Sequence, residues 1–364
     1  MSIKKQKILF VRLGAIGDVI RTLPALNAFK TANKDNYIAW IVEEQSESIL
    51  KDHPQIDEVI LFKRIKWQKG LIKPATFFKT LNEIFFFLKE LKGKKFDIVL
   101  DFHGIIKSGI IGFLTGAKKR FGFTRRFSKE LNFLFNNNRV ALPDHRINRV
   151  EKNMLLVDRL CKGFKPDINR TRAVFSVFDE DQKRIDAFFK NSINIQHKPF
   201  IALHPGSSIK TGYKRWSTAK YAKLADRIIK KHNAAVILTW GPDEHETVLE
   251  IAGSMEQKPV IACRTQNLRQ LAELIKRCDL YIGGDTAPMH IAALSGLPVL
   301  AIFGPTDPVI NAPYGNKMNI IIRKNLACSP CRNRKCKSVE CMKQISVDEV
   351  YQAFVTMMTN YSKK

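Results

Sequence analysis

The stretch that decides the fold is residues 280–304, LYIGGDTAPMHIAALSGLPVLAIFG. Its pattern predicts a strand, a glycine turn, a helix, a second turn and a second strand. Gly283 and Gly284 end the first apolar run, and Pro288 stands in the first turn of the predicted helix, where its missing N–H costs little. The fully apolar run Val299–Phe303 is typical of a strand buried in a parallel sheet. The stretch therefore predicts a β-α-β unit.

The turn that opens this helix is a candidate anion site. A helix N-terminus presents backbone N–H groups without partners and the positive end of the helix dipole, which suit a phosphate or diphosphate. Thr286 adds a hydroxyl donor, and His290 lies one helical turn further along the same face. For this stretch alone, an ordinary capped helix with His290 packed under the turn is an equal alternative.

Two more polar loops follow predicted strands in the same half of the chain, at 204–216 and 240–246. Because the carboxyl ends of parallel strands meet at one edge of a sheet, all three loops are expected to lie together. Their candidate ligands are Ser207, Ser208 and Lys214 for phosphate oxygens, and Glu246 or Glu244 for the two hydroxyls of a ribose. Together they predict a nucleoside diphosphate site, with three unrelated polar loops as the alternative.

The first half of the chain begins with a similar pattern. Lys7–Leu13 predicts a strand, and GAIGD at 14–18 predicts a glycine turn that opens a helix. The turn lacks the G-x-G-x-x-G fingerprint, which disfavours a nicotinamide oxidoreductase. Asp18 is either a first-turn carboxylate stabilised by the helix dipole or a base at the carboxyl end of a strand, where open α/β sheets bind their ligands.

Alternating strand and helix patterns continue along both halves. Strands are predicted at 37–42, 59–62, 96–101, 200–203, 236–239 and 259–262, and helices at 73–91, 145–160, 179–190, 218–231, 268–277 and 347–358. The segment 131–142 has no clear pattern, and the polar, proline-containing segment 164–172 indicates a domain junction nearby. A chain of 364 residues most simply forms two such domains.

The charge balance is strongly basic, with 61 Lys and Arg against 34 Asp and Glu and a formal net charge of +27. Such a charge attracts nucleic acid, phosphorylated ligands or an anionic membrane surface. The Arg- and Phe-rich segment 120–127 keeps a nucleic-acid-binding protein as an alternative, although no recognition motif is present and the basic residues are spread over both halves.

No apolar run approaches the roughly 20 residues that span a bilayer, and the N-terminal segment fits a strand better than a signal peptide. We therefore expect a cytoplasmic protein with reduced cysteines. Four cysteines lie close together, at Cys328, Cys331, Cys336 and Cys341. Four thiolates suit zinc, but the second pair is spaced by four residues instead of two, so a reduced loop that docks the C-terminal helix is the favoured interpretation over metal or disulfide chemistry.

With these motifs assembled, the chain resembles a lipopolysaccharide heptosyltransferase of glycosyltransferase family nine, more type I than type II. The resemblance covers nearly the whole chain and rests on VRLGAIGDVIRTLPAL, WIVEE, VLDFHGIIKS, HPGSSIKTGYKRW, WGPDEHE, GGDTAPMHIAALSGLPVLAIFGPTDP and CSPC. It implies an α/β fold of GT-B architecture, in which two Rossmann-like, doubly wound domains face each other across a cleft. Residues 1–175 would bind the acceptor, residues 176–345 would bind the nucleotide-sugar, and residues 346–364 would form a helix that packs back on the first domain.

The resemblance also implies a reaction: inverting transfer of heptose from ADP-L-glycero-D-manno-heptose to a Kdo or heptose sugar of the lipopolysaccharide inner core. The expected enzyme is a monomer without cofactor or metal, bound peripherally to the cytoplasmic face of the inner membrane, and it binds no nucleic acid. A GT-B transferase for another nucleotide-sugar or acceptor is the alternative. An epimerase of the same architecture is disfavoured, since Asp18 is present.

By matching positions, Asp18 resembles the general base. The residues assigned to the donor are Ser207, Lys214, Glu246, Asp285, Thr286, Ala287 and His290. The basic run around Trp67 resembles the acceptor-binding segment, and the residues assigned to the acceptor are Arg64, Lys66, Lys69 and Arg120. Ala287-Pro288 stands where type I enzymes often have a glycine, and the cysteine cluster is commoner in type II, so the acceptor type stays open.

Overall fold

The computed structural model describes residues 5–161, 173–176, 178–193, 198–315 and 318–361. The chain divides into two compact units, residues 1–176 and 177–364. The segment 164–172, which indicated a junction in the sequence, lies outside the described residues.

The first unit is a six-stranded sheet with helices. Its strands are β1 (Lys7–Val11), β2 (Tyr37–Glu43), β3 (Glu58–Phe62), β4 (Ile98–Asp101), β5 (Lys119–Phe123) and β6 (Asn138–Val140). Its helices are α1 (Ile16–Ile20), α2 (Leu23–Ala32), α3 (Glu47–Leu50), α4 (Arg64–Ile72), α5 (Pro74–Gly93), α6 (Ile106–Leu114) and α7 (Arg149–Cys161). The strand order is β3-β2-β1-β4-β5-β6, and all pairs are parallel.

The second unit repeats this plan. Its strands are β7 (Phe200–His204), β8 (Ala235–Leu238), β9 (Val260–Ile261), β10 (Leu280–Gly284), β11 (Val299–Ile302) and β12 (Ile320–Ile322). Its helices are α8 (Asp179–Ser192), α9 (Thr218–His232), α10 (His245–Gly253), α11 (Leu268–Lys276), α12 (Ala287–Leu294), α13 (Pro308–Asn311), α14 (Glu340–Lys343) and α15 (Val347–Tyr361). The strand order is β12-β11-β10-β7-β8-β9, again with parallel pairs.

Both sheets have the same topology. Counted within each unit, the strands lie in the order 3-2-1-4-5-6, which is that of the doubly wound Rossmann fold. The prediction of an α/β protein with two Rossmann-like domains is confirmed. In this fold the strand order reverses between strands 1 and 4, which are β1 and β4 in the first unit and β7 and β10 in the second. Ligands of open α/β sheets bind at the carboxyl ends of these strands.

The central strands are apolar throughout because helices cover both faces of each sheet. In the first unit, Phe10 of β1 is fully buried, and its ring packs 5.0 Å from Phe102 and 5.5 Å from Trp40. Large aromatic side chains bury the most area per residue, so this group anchors β1 and the turn that follows it.

The C-terminal helix belongs to the core of the second unit. α15 packs on α9 and β12, and its Phe354 is fully buried. Ile345 precedes this helix, and its carbonyl accepts a hydrogen bond from the Nε1 of Trp216 at 3.0 Å. Residues 346–364 were expected to pack back on the first domain, whereas the described part of this segment packs within the second unit.

Across the described residues, each helix is too short or too polar to cross a membrane.

Candidate active site

Asp18 lies where the strand order of the first sheet reverses, in the first turn of α1 directly after β1. Its carboxylate is held by three arginines: Oδ2 pairs with Arg12, Oδ1 pairs with Arg21, and the Nε of Arg149 lies 3.8 Å from Oδ1. Arg12 is itself buried and donates to the carbonyl of Phe102 at 2.8 Å. The carboxylate is thereby fixed in one orientation.

These arginines decide the charge of Asp18. Burial by itself raises the pKa of this carboxyl, but the positive charges of Arg12, Arg21 and Arg149 together outweigh it and hold the pKa well below its usual range. Asp18 is therefore ionised at every physiological pH, and its carboxylate is a permanent hydrogen-bond acceptor.

The turn after β4 faces the same edge of the sheet. Asp101 is buried, and its carboxylate accepts hydrogen bonds from the backbone N–H groups of His103 and Gly104 and from the side chains of Ser108 and Asn132. Burial raises the pKa of Asp101, although these four donors oppose the shift. This network shapes the turn that presents His103.

His103 is a neutral group beside Asp18. Burial, followed by the charge of Arg12, lowers the pKa of His103 to about 3. Its Nδ1 accepts from the backbone N–H of Leu13 at 3.3 Å, so the neutral ring carries its proton on Nε2. The sequence contained a signal for His103 as a candidate site residue, because His103 follows a buried strand in the same way as Asp18 does.

A pocket of about 290 Å³ opens beside the turn that precedes Asp18. It is lined by Gly14, Ala15, Glu43, Gln45, Ser46, Arg64, His103, Ile105 and Lys107. Glu43 lies between two cations, with Oε2 at 2.8 Å from the Nε of Arg64 and Oε1 at 3.4 Å from the Nζ of Lys107. The polar, charged lining suits a hydroxylated, anionic ligand, and Arg64, which was assigned to the acceptor, is one of the residues that line it.

The other residues assigned to the acceptor do not line this pocket. Lys66 pairs with Glu83 of α5 at 2.8 Å, and Lys69 is exposed on α4. The basic run folds as a helix, in which positions 66 and 69 point about 160° and 140° away from position 64. Helical rotation therefore separates side chains that are close in sequence.

Arg120 also lies elsewhere. Arg120 of β5 pairs with Val99 of β4, and Val99 pairs with Leu9 of β1, which lies before the carboxyl end of that strand. Its Nε donates to the carbonyl of Phe135 at 2.8 Å, and its guanidinium lies 5.3 Å from the ring of Phe113. These contacts tie Arg120 to the fold and turn it away from the carboxyl edge of the sheet.

Lys152 of α7 is a basic residue that the sequence analysis did not identify. Its Nζ donates to the carbonyl of Phe127 at 3.2 Å and lies 4.1 Å from the centre of the Phe123 ring. Burial, with repulsion from Arg149 and Arg12, lowers the pKa of Lys152 to about 8. The wall around Asp18 is therefore strongly cationic.

The anion site predicted for the second unit falls where β10 leads into α12. Thr286 is the N-cap residue, its backbone is extended, and its side chain makes no capping hydrogen bond. The Nζ of Lys214 lies 3.1 Å from Oδ2 of Asp285, and the Nε2 of His290 lies 3.6 Å from Oδ1. The structure thus brings Lys214, Asp285, Thr286, Ala287 and His290 together at the reversal point between β7 and β10.

Ser207 has a structural place in the loop after β7. It is buried, its hydroxyl donates to the carbonyl of Thr211 at 3.1 Å, and it accepts from the Nε of Arg215 at 3.2 Å. Arg215 thereby becomes a second fixed cation beside Lys214, which the sequence analysis did not single out.

Of the two glutamates in the loop after β8, Glu244 lies at the reversal point and Glu246 does not. Glu244 is buried, accepts from the backbone N–H of Gly241 at 2.7 Å and lies 3.3 Å from the Nε2 of His204. A Cβ at Gly206 would overlap its carboxyl group, so only glycine allows this approach. Glu246 is exposed in the first turn of α10. Glu244 is thus held in the packing between the two loops, whereas the assigned Glu246 is exposed on α10.

The cysteines of the 328–341 segment are free thiols, two of them exposed, one half-buried and one buried. Cys341 is buried beneath Gly304, next to Met342. Within the described ranges, no three His, Cys, Asp or Glu side chains gather in a way that could hold a metal ion.

Two doubly wound units, each with charged side chains at the point where its strand order reverses, are compatible with a transferase that uses a nucleotide-sugar. The sequence profile of glycosyltransferase family 9 (heptosyltransferase) matches residues 84–342. The chain belongs to this family and is a glycosyltransferase of the heptosyltransferase type.

The similar proteins carry related names. Lipopolysaccharide heptosyltransferase 1 of Campylobacter coli is 30% identical over 87% of this chain and 89% of its own length. Lipooligosaccharide heptosyltransferase 2 of Campylobacter jejuni is 24% identical over 95% of this chain and 96% of its own. A family 9 glycosyltransferase structure from Veillonella parvula has a TM-score of 0.79 at 22% identity, with 99% of each chain covered. Heptosyltransferase WaaC of E. coli with ADP has a TM-score of 0.74 at 21% identity, covering 96% of this chain and 99% of the other.

Proposed function

We propose that this heptosyltransferase moves heptose from ADP-L-glycero-D-manno-heptose to a Kdo or heptose sugar of the lipopolysaccharide inner core, with inversion at the anomeric carbon. It works as a monomer on the cytoplasmic face of the inner membrane, without a metal or other cofactor. The lipopolysaccharide acceptor is supported by the names of the relatives from both Campylobacter species, which carry different numbers and so do not select one acceptor sugar. The ADP donor is supported by the E. coli structure that contains ADP.

The observation that carries the proposal is the cation and helix terminus at the reversal point of the second sheet. Lys214, held 3.1 Å from Asp285, stands beside the N-terminus of α12. Ala287 and Met289 are in the first turn of this helix, where backbone N–H groups have no partner within the helix. A leaving diphosphate gains negative charge as the sugar departs, and such fixed donors stabilise that charge in the transition state.

Asp18 supplies the base. The acceptor hydroxyl attacks the anomeric carbon, its proton passes to Asp18, and the bond to the leaving ADP breaks with its electron pair on the diphosphate. The low pKa of Asp18 makes it a weak base toward a resting hydroxyl, but the hydroxyl becomes acidic as the new bond forms. Arg12 and Arg21 keep the carboxylate in place throughout.

The roles of the other residues are proposed from their positions. Glu244 accepts hydrogen bonds from the ribose hydroxyls. The pocket beside Asp18 binds the acceptor, whose carboxylate pairs with Arg64 and Lys107. Both cations are held in the unliganded pocket by Glu43, which keeps them oriented toward the space that the acceptor enters.

Calorimetric titration with ADP, UDP and NAD tests the donor class. We expect binding of ADP alone, weakened about 10- to 100-fold in Lys214→Ala because one charge-assisted contact is lost. Lys223→Ala is the matched control, since Lys223 is exposed on α9. A preference for UDP would overturn the heptose donor, and DNA binding without nucleotide binding would favour the nucleic-acid alternative.

A further inference from the structure

The first unit exposes an unusual amount of apolar surface on one side. Of the fourteen large hydrophobic side chains that are exposed in the described residues, twelve lie between Ile72 and Leu134, and the other two are Leu249 and Val309. Scattered exposed leucines are ordinary in folded proteins, but a contiguous apolar patch marks a surface that binds something.

Helix α5 is the centre of this patch. It has 20 residues, yet only Thr80 and Leu91 are buried. Phe78, Leu81 and Phe85 are exposed by 81%, 43% and 62%, and their spacing places them on one face of the helix. An amphipathic helix normally turns such a stripe toward the core, whereas here the stripe faces outward.

The patch continues onto the neighbouring elements. α5 packs against α6, where Ile106, Ile110 and Phe113 form a second exposed stripe at helical spacing. The 3₁₀ turn Asn132–Phe135 packs on α6 in turn, and exposed Leu134 lies in it. The apolar surface therefore extends over three adjoining elements.

Lysines border the exposed apolar stripe of α5. Lys89 and Lys92 are exposed on the same side of the helix as the stripe, whereas Lys79 lies on the opposite side. The carboxylates of α5 are already paired, Glu83 with Lys66 at 2.8 Å and Glu90 with Lys94 at 3.3 Å. On a helical projection they lie on the side opposite the Leu81–Phe85 stripe. The exposed face thus combines aromatic and aliphatic side chains with unneutralised lysines.

A basic hollow lies where the carboxyl ends of α5 and α6 meet. Its volume is about 680 Å³, and Lys89, Lys92, Lys95 and Lys118 line it together with Asp97. Four ammonium groups against one carboxylate suit phosphate groups, and Lys89 and Lys92 connect the hollow to the apolar stripe of α5.

We infer that this α5–α6 face docks the enzyme on an anionic lipid bilayer, with the phenylalanines inserted among the headgroups and the lysines on lipid phosphates. Interfacial helices have this division into an inserted apolar face and a Lys-bearing border, and anionic lipids attract such lysines. The inference deepens the proposed function and rests on it for the lipid-linked acceptor. α5 also packs on α4, whose first residue Arg64 lies at the pocket proposed for the acceptor.

A second copy of the chain is a poorer occupant. In a two-fold dimer the same patch meets itself, which would bring the lysines of both copies together without carboxylates to oppose them. The positive charge of the patch is complementary to an anionic surface, whereas two copies of the patch would repel each other.

Flotation of the full-length protein with vesicles tests the inference, without donor or acceptor present. We expect binding to vesicles of equal parts phosphatidylcholine and phosphatidylglycerol and little binding to phosphatidylcholine alone. The triple variant F78A/L81A/F85A should bind at least about tenfold more weakly, because three inserted side chains are lost. Leu249→Ala with Val309→Ala, the two exposed apolar residues outside the patch, should bind as the parent does.

Charge is tested separately with K89E/K92E, which should lose the phosphatidylglycerol-dependent binding, and with the exposed α9 pair K230E/K231E, which should keep it. Heptose transfer to a short acceptor without lipid chains, together with the thermal melt, shows that the variants are folded. Equal vesicle binding by the parent and the patch variants would overturn the inference, even with heptose transfer intact. Dimerisation that is lost in F78A/L81A/F85A, seen by sedimentation without vesicle binding, would overturn it in favour of a second copy.

Discussion

At the residue scale, the choice between Glu244 and Glu246 shows how local geometry sets a role. Two positions apart at the start of a helix, the two side chains point in different directions, and only Glu244 lies under the loop after β7. The spacing in the sequence offered both residues equally. Because α10 begins at His245, Glu244 belongs to the loop and Glu246 to the helix. The position of this helix start depends on how the loop packs.

Glu244→Gln should weaken ADP binding by about 10- to 100-fold, because hydrogen bonds from the ribose would lose their charged acceptor. Glu246→Gln is the matched control and should leave the dissociation constant unchanged, since its side chain is exposed. Calorimetry on both variants decides between them. If Glu246→Gln weakened ADP binding and Glu244→Gln did not, Glu246 would be the residue that contacts the ribose.

Lys152 predicts a specific dependence of stability on pH. Its pKa is lowered to about 8 in the folded protein, whereas an unfolded lysine titrates near 10.4. Between these values the unfolded state binds more protons, so this lysine makes the free energy of unfolding rise with pH, by at most about 3 kcal/mol.

The measurement compares urea unfolding of the parent and Lys152→Met from about pH 7 to about pH 10. Any advantage of Lys152→Met should be greatest at the lower pH and should shrink as the pH passes 8, because the parent is then relieved of its buried charge. Lys223→Met, changed at an exposed position, provides the control. A difference that stays constant across the range would show that Lys152 is not buried as a cation.

At the element scale, close contact between two loops shapes the donor site. Gly206 of the loop after β7 lies against the Glu244 carboxyl group of the loop after β8, with no room for a Cβ. Gly206→Ala should lower the free energy of unfolding by about 1–3 kcal/mol, since the overlap forces a shift, and should also weaken ADP binding. Gly253→Ala meets nothing within 4 Å and is the control. Chemical unfolding that is the same for both variants would contradict the observed packing.

The elements that the sequence failed to predict lie mainly at the sheet edges. β6 and β12 have three residues each and are the last strands of their sheets, so they leave too short a pattern to be identified. β5 lies inside its sheet, but its sequence KRFGF begins with two basic residues and was interpreted as a basic aromatic segment. The central strands were predicted well because burial on both faces requires continuous apolar runs.

The helical state of α4 was missed for a different reason. Its basic run RIKWQKGLI lacks a clear apolar stripe, and only Trp67 is buried. Trp67 packs between Phe62 and Phe87, at 5.1 Å from each ring, and this tertiary contact holds the helix. A single buried aromatic leaves little periodic signal in the sequence, so the rotation of Lys66 and Lys69 away from Arg64 could not be predicted.

At the scale of the whole molecule, the same topology serves two tasks. Each unit reverses its strand order beside its first strand, and each places its polar residues there, Asp18 in one and Lys214 with Asp285 in the other. Glycine turns after apolar strands were enough to predict both positions, because the carboxyl-edge rule holds for any open α/β sheet. Which side chains meet at each edge depends on strand order, and that became visible only in the fold.

This division of labour predicts that catalysis and donor binding can be separated. Asp18 belongs to the first unit, and the proposed donor residues belong to the second. Asp18→Asn keeps the shape of the side chain but removes its charge, leaving Arg12 and Arg21 without their anion. The variant should be less stable, so its fold is checked by its thermal melt and by its affinity for ADP.

The most direct test is the rate of heptose transfer from ADP-heptose to Kdo-lipid A by Asp18→Asn, measured at saturating donor beside its dissociation constant for ADP. We predict a loss of about 10²- to 10⁴-fold in kcat, the usual contribution of a general base, with ADP binding unchanged. A variant that binds ADP and transfers heptose at the parental rate would contradict the account, because the proton would then have to leave by another route.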